Sequence, residues 1–479
     1  MKIPKSIDIS GNLSRARALL APEKTIDADS LKSVMSMLVT IIELLLSIMG
    51  ANSKNSSVSP SQDPNRPKPP KVGKSDKKPG GQPGRKGVTL TQVPEPNEIV
   101  EVNVDLGQLA PGPFKELPRE KRQVFDIQMN VHVTEYHVQV IRDAKGHIHK
   151  ANCPVEGAVQ YGSSVRGLAC YLSNFQLVPV ERIVDFFEHQ IGLPLSAGTV
   201  VNINTEAAAA LCEFERTAKQ ELIASPVLHA DETGINLSGK NAWLHSASTQ
   251  SWSLFCPSLK RGAEAIEHIG IIPQYRGVLV HDHWASYFKY SCIHAVCGAH
   301  LVRELTRVVE QSQNSWAKDM IEHLYLMKTE VEAVPERKLS PEEIQALGKK
   351  YDEIIALGEA QNPISAAVNG DPPKRGRIKK SKERNLLERM RDKRSATLRY
   401  MEFGDAPFTN NQAERDIRMT KVHQKISGCY KTLETAKAAC LIRSFISTCQ
   451  KQGFCIYTAL SDLFVGKLPS FKLVSIPPL

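Results

Sequence analysis

The sequence predicts an α/β fold, on three observations. SPVLHADETGINL, NAWLHSAST and SWSLFCPS, between residues 225 and 258, are short β-rich runs separated by turn residues, the pattern of an antiparallel meander. RGVLVHDHW and SCIHAVCGAH, between 276 and 300, are apolar runs of the kind that parallel strands bury. Helix-like stretches, RGAEAIEHIG and LVRELTRVVEQ, stand before and after these two runs. Antiparallel strands continued by parallel ones, with helices between, form a sheet whose ligands gather at strand ends.

Length and composition set the frame. The 479 residues suffice for two to four domains, and 41% hydrophobic with 23% charged residues is a globular composition. A net charge of +10 favours a polyanionic partner, nucleic acid before membrane. The ten cysteines lack the paired spacing of a secreted disulfide framework, so a reducing cytoplasm is the simpler setting. MKIPKSIDIS has no apolar core behind its lysines, and no signal peptide is expected.

The elements follow in order. Residues 1–50 hold an N-terminal lead and the apolar stretch VMSMLVTIIELLLSIM. It is shorter than the ~20 residues a bilayer needs and contains Glu43. Leu31, Val34, Leu38, Ile41, Leu45 and Ile48 alternate at spacings of three and four, a coiled-coil seam and hence an oligomerisation helix; packing on the same chain is the alternative. Residues 51–95 form a Pro/Gly/Ser-rich linker, which between Arg66 and Lys86 carries Arg66, Lys68, Lys71, Lys74, Lys77, Lys78, Arg85 and Lys86 against only Asp76. Such an arm binds DNA by counterion release, or serves as a solubilising tether.

Residues 96–160 alternate in strand fashion, as in EIVEVNV and FDIQMNVHVTEYHVQVIRD, and predict a small β unit. His147, His149 and Cys153 follow it without the paired ligands of a zinc site. Over 161–224 the pattern turns helical: VPVERIVDFFEHQIG ends at Gly192, and Ser196 caps the next helix. This is compatible with helix-turn-helix DNA binding and equally with plain helical packing. The α/β block spans 225–310, a helical basic insertion 311–400, a last core segment 401–450 and a C-terminal tail 451–479. Within the insertion, residues 372–399 carry twelve basic residues against three acidic ones, a second candidate phosphate surface.

Asp231 lies in the apolar run VLHADETG, and Asp282 ends GVLVHD. A buried carboxylate is expensive unless paired or metal-bound, although a strand-end aspartate also caps turns. In TNNQAERDIRMTKVHQK (409–425), Glu414, Arg418, Lys421 and Lys425 share one face of a helix. A lone acid heading a ridge of cations suits a metal ion held beside a phosphate backbone; an ordinary surface helix is the bland reading. Three converging carboxylates repel one another unless hard divalent cations relieve them.

These motifs resemble those of the insertion-sequence-66 family of DDE transposases. NSKNSSVSPSQD with GGQPGRKG is similar to that family's N-terminal stretch, and LHADETG to its first aspartate motif. LVHDHWASY resembles the second, CGAHLVREL the Cys-x-x-His segment with Cys297 and His300, and TNNQAERDIR the glutamate motif. The resemblance implies an RNase H-like core with a helical insertion before the glutamate, in which Asp231, Asp282 and Glu414 are catalytic and hold two Mg²⁺ (or Mn²⁺) ions. It further implies hydrolysis at the element's terminal inverted repeats and strand transfer into target DNA, by a bacterial cytoplasmic, nucleoid-associated protein. A homo-oligomer is expected, accessory proteins of the same element are compatible with it, and no membrane is involved. Arg418, Lys421, Lys425, Arg261, Lys77, Lys78, Arg85 and Lys86 are the candidate DNA contacts. The family's Cys-rich zinc-finger-like module is reduced here to Cys153, so zinc is not expected. The rivals are another integrase or nuclease with the same three acids, and a transposon-derived DNA-binding protein with an inert core.

Overall fold

The computed structural model of the chain describes residues 89–109, 111–115, 117–312, 315–364 and 380–473, together with Lys32 and Met35. The whole coiled-coil seam, from Leu31 to Ile48, and Lys77, Lys78, Arg85 and Lys86 lie outside the described residues. Among the described residues no helix is long and apolar enough to cross a membrane.

The runs read as strands form one sheet. β3 (Val227–Leu237), β4 (Lys240–Ser248) and β5 (Ser253–Ser258) make an antiparallel meander, and β6 (Val278–His281) and β7 (Ile293–Val296) continue it in parallel on the other side of β3. The order across the sheet is β5-β4-β3-β6-β7. The β3–β4 hairpin turns on Ser238 and Gly239, with φ of 44° and 85°. Positive φ at both positions matches the strand twist, and glycine adopts it without steric cost. Ser238 is held there by its N–H to the Tyr430 carbonyl at 3.0 Å and its Oγ to the Lys431 carbonyl at 2.8 Å.

Helices cover the sheet because its strands are apolar on both faces. α1 (Ser163–Asn174), α2 (Val180–Phe186), α3 (Ala197–Ala210) and α4 (Cys212–Ala224) precede β3. Gly192, at φ 74°, ends the turn that continues α2, and Ser196 Oγ accepts from Thr199 N–H at the start of α3, as expected. These helices do not stand apart as a module. Ile183, Phe187, Val200, Phe214 and Leu222 share one core with Leu228, Trp252, Leu254 and Leu279 of the sheet region. α5 (Ala263–Ile269) joins β5 to β6. After β7, α6 (Gly298–Ser312) leads into α7 (Ser315–Ala333), α8 (Pro341–Gln361), α9 (Lys382–Asp392) and α10 (Arg394–Leu398). These build a second core around Trp316, Met320, Tyr351 and Leu387. α11 (Asn411–Ile426) then returns to the sheet, and α12 (Leu433–Lys451) and α13 (Ile456–Leu463) complete the first core.

Two expectations change. Among the described residues of 96–160, the strands are those of one hairpin, β1 (Val140–Arg142) and β2 (Ile148–Lys150). Val100, Val102, Val104, Ile127 and Val133 are exposed, and without a facing layer the alternating runs gain nothing from pairing. Among the described residues, five arginines of the insertion's basic run are paired with carboxylates. Arg384 and Arg391 pair with Glu359, Arg389 with Glu304, Arg394 with Asp352 and Arg399 with Glu402.

Candidate active site

Strand register brings the two aspartates together. β3 and β6 run parallel with Val227 against Val278 and His229 against Val280. Two residues beyond the last pair of this register stand Asp231, within β3, and Asp282, just past the end of β6, at the carboxyl end of the parallel pair, where α/β sheets collect their ligands. Asp231 Oδ1 accepts from Glu232 N–H at 2.9 Å, and Asp282 Oδ1 accepts from Trp284 N–H at 2.9 Å. Burial, with the Glu232 and Asp282 carboxylates beside it, pushes Asp231 up to about 7, against the opposing pull of that N–H and of His300. A hard divalent cation relieves this kind of repulsion, so the two aspartates fit one.

Glu232, the next residue, is already satisfied. Its side chain is 1% exposed, its Oε1 accepts from Arg261 Nε and Nη2 at 3.1 and 2.7 Å, and its Oε2 accepts from Tyr287 Oη at 2.7 Å. The Arg261 guanidinium is further stacked between the rings of Trp243 and Trp284, 4.7 Å from each centroid. Arg261, expected at the DNA, is therefore anchored to the core, with 42% of its side chain exposed at the rim.

Glu414 arrives from the far side of the insertion. It lies in the first turn of α11, whose Ala413, Ile417 and Thr420 are buried against the sheet. Asn410 precedes the helix, yet its side chain makes no cap bond. Its Nδ2 donates instead to the Ala230 carbonyl at 2.8 Å, its Oδ1 accepts from His229 Nδ1 at 2.9 Å, and its N–H donates to Cys297 Sγ at 3.2 Å. His229 is thus a buried core histidine tied to Asn410, and it does not line the cleft. Gly298 opens α6 directly under Phe408: its N–H donates to the Phe408 carbonyl at 2.8 Å, and a Cβ there would lie 2.3 Å from the ring. Strand β3, helix α6 and helix α11 are stitched at one point.

The Glu414 carboxylate faces His300, with Oε1 3.8 Å from Nδ1, and neither atom has a hydrogen-bond partner although both are buried. Among the described residues, the one group of three metal-ligating side chains whose ligand atoms all lie within 4.8 Å of one another is Cys297, His300 and Glu414. The three acids are not gathered that closely. Burial disfavours the charged imidazole of His300, but the Cys297 sulfur and the Glu414 carboxylate outweigh it and push His300 up to about 9.

Asp282 and His300 open onto a cleft of about 450 Å³, whose wall carries the cations Arg261, Arg307, Lys382 and Arg389 and the carboxylates Glu304 and Glu383. His283 also lines it, both ring nitrogens buried without a partner; burial, with Arg389 beside it, holds its pKa well below the usual range. Of the expected ridge on α11, Arg418 and Lys425 are exposed. Lys421 is not part of it: its ammonium donates to the Gly234 carbonyl of β3, because one turn after buried Ile417 the helix carries position 421 over the strand.

Residues 158–438 match the family model described as Transposase IS66 family. The chain belongs to this family of transposases. No curated protein matches it. The matched span of this IS66-family transposase holds Asp231 on β3, the residues that line the cleft and Glu414 on α11. Sequence reasoning missed the work of Asn410, Glu232 and His283. The Asn-Asn doublet before the helix marks Asn410 as a cap by residue type, but its true partner lies 180 positions away.

Proposed function

We propose that this transposase binds the terminal inverted repeats of its element, hydrolyses a phosphodiester bond at each end and joins the freed 3′-hydroxyl to target DNA. Asp231, Asp282 and Glu414 are its catalytic residues and would hold two Mg²⁺ (or Mn²⁺) ions. One observation carries the reading: parallel register brings Asp231 and Asp282 together at the carboxyl end of the β3–β6 pair, beside a helix whose first turn holds Glu414. The sheet order, with a helical segment between β7 and α11, supports an RNase H-like core with an insertion.

When bound, such ions stabilise the attacking and leaving oxygens of an in-line displacement. The chain's own residues do the remainder. Asp231 stands within one strand and Asp282 just past the end of its neighbour, and Asn410 holds the Glu414 helix against them. Glu414 joins the aspartates by turning its side chain off His300. Glu232 keeps Arg261 at the rim, and the cations of the cleft wall attract the phosphate backbone. Exposed Arg418 and Lys425 carry the strand onward, and the charge of the arm with Lys77, Lys78, Arg85 and Lys86 supports sequence-independent affinity. The heptad spacing from Leu31 to Ile48 supports a homo-oligomer.

The test is Asp282→Ala on terminal-repeat DNA with Mg²⁺. Cleavage and joining should both fall by roughly a hundredfold or more. Wild-type rates in the folded variant would overturn the assignment, and cleavage without joined product in the wild type would mark a nuclease.

A further inference from the structure

Cys297 and His300 look like half of a zinc site in the sequence, and the lack of a second Cys-x-x-His pair argues against zinc there. The fold supplies a third ligand from 114 positions further on. Glu414 reaches the same corner, and the three ligand atoms lie within 4.8 Å of one another. A tetrahedral zinc ion with bonds of about 2.0–2.3 Å spaces its ligand atoms roughly 3.3–3.8 Å apart. The 3.8 Å between His300 Nδ1 and Glu414 Oε1 is already at that spacing, and both atoms are buried and unpartnered.

The sulfur is placed for the same purpose. Cys297 is fully buried, immediately precedes α6, and receives the Asn410 N–H at 3.2 Å, so partial positive charge converges on Sγ. Thiol, imidazole and one carboxylate form a donor set for a borderline-soft cation, whereas the aspartate pair offers only hard oxygens. Three protein ligands leave a fourth position open, and His300 lines the cleft.

We propose that Cys297, His300 and Glu414 form a binding site for a thiophilic divalent cation of the zinc class, and that its occupancy holds Glu414 away from Asp231 and Asp282, so that such ions inhibit the transposase. Glu414 is then shared by two mutually exclusive sites of different chemistry. The binding half stands on the local geometry alone; the inhibitory half rests on the catalytic role proposed above for Glu414.

The experiment titrates the full-length chain with Co²⁺ and reads the thiolate-to-cobalt charge-transfer absorption in the near ultraviolet. One equivalent of this band is expected in the wild type, and Zn²⁺ should displace it. Cys297→Ser should abolish it while the chain's nine other cysteines remain. His300→Gln, which leaves the sulfur in place, should weaken Co²⁺ binding at least tenfold, and circular dichroism checks that both variants are folded. Absence of the band, or an equal band in folded Cys297→Ser, would overturn the site. In the second arm, Zn²⁺ is added to cleavage reactions at fixed Mg²⁺. Inhibition over the concentrations that displace Co²⁺ supports the switch, and unchanged cleavage with the site filled overturns it. A cobalt band with no Mg²⁺-dependent cleavage under any condition supports the metal site and counts against the proposed function alone.

Discussion

Asn410 Nδ2 donates to the Ala230 carbonyl at 2.8 Å, so the residue that opens the Glu414 helix is bonded to the residue immediately before Asp231. Its Oδ1 also receives buried His229. Asn410→Ala leaves a buried carbonyl and a buried imidazole without partners, which costs about 1–3 kcal/mol. Urea unfolding should show that loss. Mg²⁺-dependent cleavage should fall further than stability explains, since the helix is no longer tied to the strand. Normal cleavage by the folded variant would show that this tie does not position Glu414.

Two residues beyond Glu414, the same helix is anchored from its other flank. Asp416 Oδ2 lies 2.8 Å from Lys451 Nζ, with only 10% and 11% of the side chains exposed. The ammonium also donates to Ser253 Oγ at 2.6 Å and to the Thr249 carbonyl at 2.8 Å, joining α11, α12 and the edge of β5. Asp416→Ala strands a buried positive charge and should cost about 3–5 kcal/mol. Replacing both partners with apolar residues, Asp416→Leu with Lys451→Met, should recover most of it by urea midpoint. A double variant no more stable than the single one would show that packing, not the stranded charge, sets the loss.

Much of the sheet was legible, and the reason lies in period and residue type. Strands such as VLHADETG and GVLVHD declare themselves by apolar runs, Gly192 and Ser196 declare helix ends, and Asp282 stands where its run closes, whereas Asp231 lies inside a strand that continues to Leu237. Partnerships were not legible. His229 meets Asn410 across 181 positions, and Arg389 meets Glu304 across 85; a sequence shows that a charge or amide exists without showing what folds against it. The helical wheel puts Glu414, Arg418, Lys421 and Lys425 on one stripe, but a wheel has no external reference. Which part of the stripe lies over β3 depends on how α11 docks, and Lys421 falls on the buried side. The alternation over 97–143 misled for a related reason: period 2 describes a strand's faces, not whether anything covers them.

In the insertion, His323 is buried between α7 and α8 and donates from Nε2 to the Leu347 carbonyl at 2.9 Å. Burial lowers its pKa from the ordinary 6.5. Below pH 6.5 the unfolded chain takes up a proton that the folded chain refuses, so the stability this residue contributes is complete above that pH and is lost as pH falls toward its folded value. His323→Gln keeps a donor for Leu347 and removes the titration. Its unfolding free energy should decline less steeply than wild type on acidification below pH 6.5; parallel profiles would exclude this histidine as a source of acid sensitivity.

Lys421 and its neighbours separate two jobs on one helix. Arg418 and Lys425 are exposed, and if they meet phosphates, each alanine variant should weaken binding alike on all DNA sequences and reduce the slope of log affinity against log salt by about one. Lys421 spends its charge on the Gly234 carbonyl, and burial lowers its pKa from the usual lysine value. Lys421→Ala should therefore lower the urea midpoint and leave the salt slope at the wild-type value. Lys421→Met keeps the aliphatic stem that packs beside β3 and should destabilise less than alanine. A salt slope that drops for Lys421→Ala as it does for Arg418→Ala would put this lysine back at the DNA.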